Sequence, residues 1–206
     1  MKKLLSQLPP RLRHLLLGWG SVGCAYTLGS LRSGPAWVVP ELASDRLLAF
    51  DPTAIWLYLS FFLLIPAAFG LTLPQRLRWL QHAMQLSALL AGLVFLLWPT
   101  TLVYPPALSA PSHGVLQLLL QFDTPGNCLP SLHGALTWLA LWALWDGRRP
   151  WRNTLLLLWS LAILLAVVQL RRHLTLDLGA GLLLGLFSGW LAARPVLHSF
   201  LRYGCA

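Results

Sequence analysis

Residues 154–170 read TLLLLWSLAILLAVVQL, a run of seventeen residues without a charge. A helix crosses the roughly 30 Å hydrocarbon core of a bilayer in about 20 residues, with a working range near 17–25. The run is bounded by Arg152 on one side and by Arg171-Arg172-His173 on the other. It therefore reads as a membrane span ended by charge. Working outward, similar runs cover residues 15–31, 54–71, 81–98, 131–145 and 174–193. The expectation is an all-α, single-domain membrane bundle of six spans. The fourth run is short, so that span must tilt, thin the bilayer or start below its surface.

Composition agrees with this reading. Of 206 residues, 57% are apolar and 10% are charged, with eleven Trp; soluble domains carry about 25% charged residues. Low charge with high hydrophobicity excludes a disordered chain and argues against a water-soluble globule. The net charge of +9 does not point to nucleic acid, because the basic residues form short clusters between apolar runs rather than a stripe. They encode orientation instead. Counted with the N-terminus inside, eleven of the fifteen Lys and Arg fall in inside segments. Arg32, Arg46, Arg171 and Arg172 fall outside. The positive-inside rule then places both termini in the cytoplasm. No A-x-A site follows the first apolar run, so it reads as an uncleaved span rather than a signal peptide. Cys24, Cys128 and Cys205 are far apart and odd in number, which gives neither a zinc spacing nor a disulfide framework.

The polar residues converge at one end of the expected bundle. Asp123, Asn127, Ser131, His133, Arg171, Arg172, His173 and Asp177 all fall at the outer ends of spans four, five and six. Asp177 is the one carboxylate inside an expected span, and it stands four residues after His173, on the same helix face. A carboxylate in hydrocarbon costs about 3 kcal/mol on insertion scales and needs a partner. A carboxylate bonded to one imidazole nitrogen fixes the tautomer and raises the basicity of the other, which prepares a nucleophile. His133 could then protonate a leaving group. Arg171 and Arg172 suit a phosphate, with Asn127, Ser131 and the N-terminus of span four as further donors.

Each residue also has a plainer reading. His133 could be an interfacial histidine bonded to a carbonyl. Arg171 and Arg172 could be snorkelling span ends, although they lie on the side the positive-inside rule disfavours. Asp177 could join helices structurally, and His113 could be a solvated loop residue. The outer histidines have no metal-ligand spacing. Gly179, Gly181 and Gly185 read as small-residue helix packing.

Asn127-Cys128-Leu129-Pro130-Ser131-Leu132-His133, followed about 40 residues on by Arg171-Arg172-His173-Leu174-Thr175-Leu176-Asp177-Leu178-Gly179, resembles the type 2 phosphatidic acid phosphatase superfamily. It is most similar to the inositol phosphorylceramide synthase and sphingomyelin-synthase-like branch, with Asp123 matching that branch's upstream aspartate. The resemblance implies a metal-independent, cofactor-free enzyme on a membrane lipid phosphate at the outer face of the cytoplasmic membrane. It implies that His173 becomes phosphorylated, that Asp177 orients it, and that His133 protonates the leaving alcohol. The acceptor, water or a lipid or sugar hydroxyl, stays open. Two features depart from the superfamily. No Lys-x6-Arg-Pro segment precedes Arg149-Pro150 or Arg194-Pro195, and Ala166-Val167 replace the usual Ser-Arg. The related branch also lacks the first of these. The competing reading is a non-catalytic transporter or assembly protein with a structural His–Asp pair.

Overall fold

The computed structural model describes residues 7–32, 34–104, 114–116 and 126–194. These residues are mostly helical, as an apolar chain must be where no water can satisfy its peptide groups. Helix α1 is Pro10–Ser30. A short helix α2, Ala43–Leu47, follows. Helices α3, Ile55–Leu59, and α4, Phe61–Leu71, come next, then α5, Pro74–Leu97. Helix α6 is Leu132–Leu144, α7 is Pro150–Gln169 and α8 is Thr175–Ala192. Proline opens α1, α5 and α7 at the position where its missing N–H costs nothing.

Four segments are long and apolar enough to cross a membrane: Pro52–Leu71, Pro74–Leu97, Pro150–Gln169 and Thr175–Ala192. The chain is therefore an all-α protein with the helices of a membrane protein. The first expected span is a helix of 21 residues, but Arg11, Arg13 and His14 occupy its first turns. The fourth is a 13-residue helix, about 20 Å long at 1.5 Å per residue and shorter than the bilayer core. The segment over 54–71 is not one smooth helix. It bends at Ser60, whose hydroxyl donates to Leu57 O at 2.6 Å and accepts from Trp159 Nε1 of α7 at 2.9 Å.

Helix α6 sits at the centre, packed against α4, α5, α7 and α8, and α1 lies along α5. Contact between α6 and α8 is close because glycines line it. A Cβ added at Gly181 would overlap the Ser131 carbonyl, and one at Gly134 would come within 2.8 Å of Leu178 O. Gly185 meets the Ala135 backbone in the same way. The glycine run expected to serve helix packing does so on one side only, since a Cβ at Gly179 would meet nothing within 4 Å.

The described parts of the loops 32–53 and 99–130 pair with each other. Strand β1, Trp37–Val38, pairs in parallel with β2, Thr100–Thr101. Thr100 also bridges to Asn127, and its hydroxyl accepts from Leu129 N at 2.7 Å. The loops thus join over the end of the bundle where α6 and α8 begin. The sequence from Val115 to Phe122 reads as a short helix lying in the interface; residues 117–122 of it lie outside the described residues.

Candidate active site

The site is built by two helix starts and one helix end. At the end of α7, Arg171 N–H bonds Val168 O at 2.9 Å and Arg172 N–H bonds Val167 O at 3.1 Å. Arg171 takes a left-handed conformation, φ 53°. This is a Schellman-type stop, usually made with glycine. It reverses the chain within three residues and delivers His173 to the first turn of α8.

Asp177 is the third residue of that turn. Its Oδ1 accepts from Leu174 N at 2.6 Å, capping the helix, while its Oδ2 faces His173 Nδ1 at 2.7 Å. Placing an acid here also favours the positive end of the helix dipole. Asp177 is wholly buried, so its charge needs both partners. With Nδ1–H donating to the carboxylate, His173 Nε2 carries the free lone pair. That nitrogen lies 3.2 Å from His133 Nδ1.

His133 is in the first turn of α6, whose N-cap is Ser131. The Ser131 hydroxyl accepts from Gly134 N at 3.2 Å, and Ser131 N–H donates to Asp177 O at 3.0 Å. The starts of α6 and α8 are thereby bonded to each other, which sets the histidine spacing. Tyr58 and Phe61 hold the His133 ring, with centroids at 5.0 and 4.7 Å. His133, His173 and Asp177 form a continuous chain of hydrogen-bonding groups, each little exposed.

The other expected residues lie around this chain. Arg172 is buried, stacks its guanidinium over Tyr104 at 5.2 Å, and is within electrostatic reach of His133. Arg171 turns away: it pairs with Glu41 at 3.1 Å and donates to Leu48 O at 3.1 Å. Asn127 donates to Tyr26 O of α1 at 3.0 Å, which ties the loop to α1. Asp123 and His113 lie outside the described residues. Among the described residues no group of His, Cys, Asp or Glu could hold a metal ion.

Several residues were not singled out from sequence. Asp45 is wholly buried. Its Oδ1 accepts from the Thr175 N–H and hydroxyl at 2.7 and 2.6 Å, and its Oδ2 accepts from Leu42 N at 2.8 Å. It therefore fastens the loop to the first turn of α8. Glu41 and Tyr104, which hold the two arginines, were missed with it. The signal available was weak: two of only six acidic residues stand near each other in a loop.

Beside His133 a cleft of about 340 Å³ runs between α1, α3, α4 and α6, lined mainly by Trp19, Val22, Tyr58, Phe62 and Leu136. Its walls are mainly hydrocarbon and aromatic, with His133, Tyr26, Tyr58 and Thr27 bringing polar groups.

No family model matches the chain, and no curated protein or solved structure is significantly similar to it.

Proposed function

We propose that this chain is a six-span membrane enzyme that breaks a lipid phosphate ester through a phosphohistidine, in the manner of the type 2 phosphatidic acid phosphatases it resembles. The observation that carries the reading is the buried relay Asp177 Oδ2–His173 Nδ1, His173 Nε2–His133 Nδ1, at 2.7 and 3.2 Å. One nitrogen is prepared as a nucleophile, and a second histidine stands where a departing oxygen would need a proton.

His173 Nε2 attacks phosphorus and the P–O ester bond breaks. The alkoxide takes its proton from protonated His133. Asp177 stabilises the charge that develops on the His173 ring, as a triad carboxylate does. In the second step neutral His133 takes a proton from water, or from a lipid or sugar hydroxyl. The oxygen of that acceptor attacks phosphorus and the P–N bond breaks, regenerating His173. Water makes the enzyme a phosphatase and an alcohol makes it a transferase. Arg172 is the better placed of the two arginines for phosphate, since Arg171 is engaged by Glu41. Ser131 and the free N–H groups of the α6 N-terminus add donors. The apolar cleft beside His133 suits the hydrocarbon part of the substrate.

The membrane arrangement follows from charge. Arg11 donates to Phe69 O and Thr72 O, Arg76 to Ala143 O and Trp145 O, and Arg152 to Leu144 O. These arginines gather at the end of the bundle away from the relay. That separation supports a cytoplasmic basic end with both termini inside, and an active site on the outer surface of the cytoplasmic membrane. The deciding experiment is release of inorganic phosphate from diacylglycerol phosphate or prenyl phosphate by the purified chain in detergent, with EDTA present. Release that depends on His173 supports the reading. No release and no phosphoryl transfer leaves the His–Asp pair as a structural join.

A further inference from the structure

At the far end of α6 a second cavity, of about 410 Å³, lies among Arg76, Trp145, Asp146, Arg148 and Arg152. With α6 rising 1.5 Å per residue, it is roughly 20 Å from the histidines. Two of its arginines have a structural duty. Arg76 Nη1 donates to Ala143 O at 3.2 Å and Trp145 O at 2.9 Å, and Arg152 Nη2 donates to Leu144 O. These bonds satisfy carbonyls that α6 leaves open at its C-terminus. They engage one nitrogen of each guanidinium. Arg152 Nε is buried and has no hydrogen-bond partner among the described residues. The exposed Arg148 forms the third wall. Asp146 is the one carboxylate among the lining residues and is shared between Arg149 and Arg152 at 3.7 and 4.0 Å. Three guanidinium groups against one carboxylate leave the cavity positive, beside a buried donor left unpartnered among the described residues. That is the chemistry of a phosphate site.

The rim is apolar. Leu71 and Leu73, at the junction of two membrane-crossing segments, are 71% and 59% exposed, and Trp145 is 45% exposed. An ion in water would find no use for such a rim, whereas a lipid has chains to lay on it. We propose that this pocket holds the phosphate-bearing headgroup of an anionic phospholipid, with its acyl chains over Leu71 and Leu73. Basic pockets between membrane helices take such headgroups. The proposal is independent of the phosphohistidine chemistry.

The test uses the full chain in neutral detergent, presented with equal amounts of phosphatidylglycerol and phosphatidylcholine and read by native mass spectrometry. One phosphatidylglycerol should be retained in preference. Arg148→Gln leaves the α6 carbonyls capped and should weaken retention about fivefold, the loss expected for one basic contact at a lipid surface. Arg46→Gln, at the other end of the bundle, should retain the lipid as the unaltered chain does. Equal retention of the two lipids, or unchanged retention in Arg148→Gln, overturns the proposal. Millimolar inorganic phosphate should leave the lipid in place; complete displacement would overturn the lipid assignment in favour of a free anion.

Discussion

Asp45 Oδ1 accepts a hydrogen bond from the Thr175 N–H at 2.7 Å, across 130 residues of sequence. A buried carboxylate of α2 thereby holds the turn that carries Asp177. The precision of the histidine pair rests on this contact as well as on the helices. Asp45→Ala would orphan two N–H donors and a hydroxyl. These donors are only part-buried, so water can replace part of what is lost and the cost falls near the lower end of the usual range, about 1 kcal/mol. The expected result is a lower unfolding midpoint in detergent together with reduced turnover. Asp45→Asn, which can still accept from Thr175, should lose less of both.

Asp177→Asn separates capping from tautomer control. An asparagine oxygen can still accept from Leu174 N, so α8 should start normally and the unfolding midpoint should move little. Its NH₂ would then face His173 Nδ1 and favour the tautomer with the proton on Nε2, where the lone pair is needed. Turnover should fall by about 10⁴-fold, the scale of the equivalent change in a serine-protease triad. Activity within a few-fold of the unaltered enzyme would assign Asp177 a purely structural role.

The glycines on α8 make a paired test of packing. Gly181→Ala pushes a methyl group into the Ser131 carbonyl, separating the starts of α6 and α8. Overpacking of this kind costs about 1–3 kcal/mol, and the histidine spacing should widen with it, so stability and turnover should fall together. At Gly179 a methyl group meets open space. Alanine is the better helix former by up to about 1 kcal/mol, so Gly179→Ala should be neutral or slightly stabilising. Equal effects at the two positions would mean that the α6–α8 contact does not set the site.

The proposed role of His133 as the acid predicts an effect that depends on the leaving group. A lipid alkoxide is a strong base and needs a proton; p-nitrophenolate is not and needs it much less. His133→Ala should cost a lipid phosphate about 10²–10⁴-fold, the usual contribution of general acid catalysis, and cost p-nitrophenyl phosphate far less. A neutral nucleophile and a protonated acid also require a bell-shaped pH–rate profile, and the variant should lose its alkaline limb. Equal losses on both substrates would make His133 a binding or structural residue.

Much of this arrangement was legible in the sequence because it is local. His173 and Asp177 are one turn apart, Ser131 caps the helix that carries His133 in its first turn, and the apolar runs mark the helices. Non-local features were not legible. Strands β1 and β2 pair residues 63 positions apart, such as Trp37 and Thr100, and no periodicity signals a two-residue strand. Asp45 was not singled out because its distant partner, Thr175, lies 130 residues away at the start of α8. Arg171 and Arg172 read alike in sequence, yet the left-handed turn sends one to Glu41 and the other under Tyr104. The run over 54–71 concealed its bend, since Ser60 is an ordinary helix residue until Trp159 reaches it.

In the proposed reaction His173 Nε2 forms a bond to phosphorus. This step is tested most directly by rapid acid-free denaturation of the enzyme during turnover of a ³²P-labelled lipid phosphate, followed by peptide mapping. The account predicts label on the peptide containing His173, stable to alkali and lost in acid, and absent from His173→Ala. It also predicts stronger accumulation in any variant slowed in the second step. Turnover without a labelled peptide, or label that persists in His173→Ala, would contradict it.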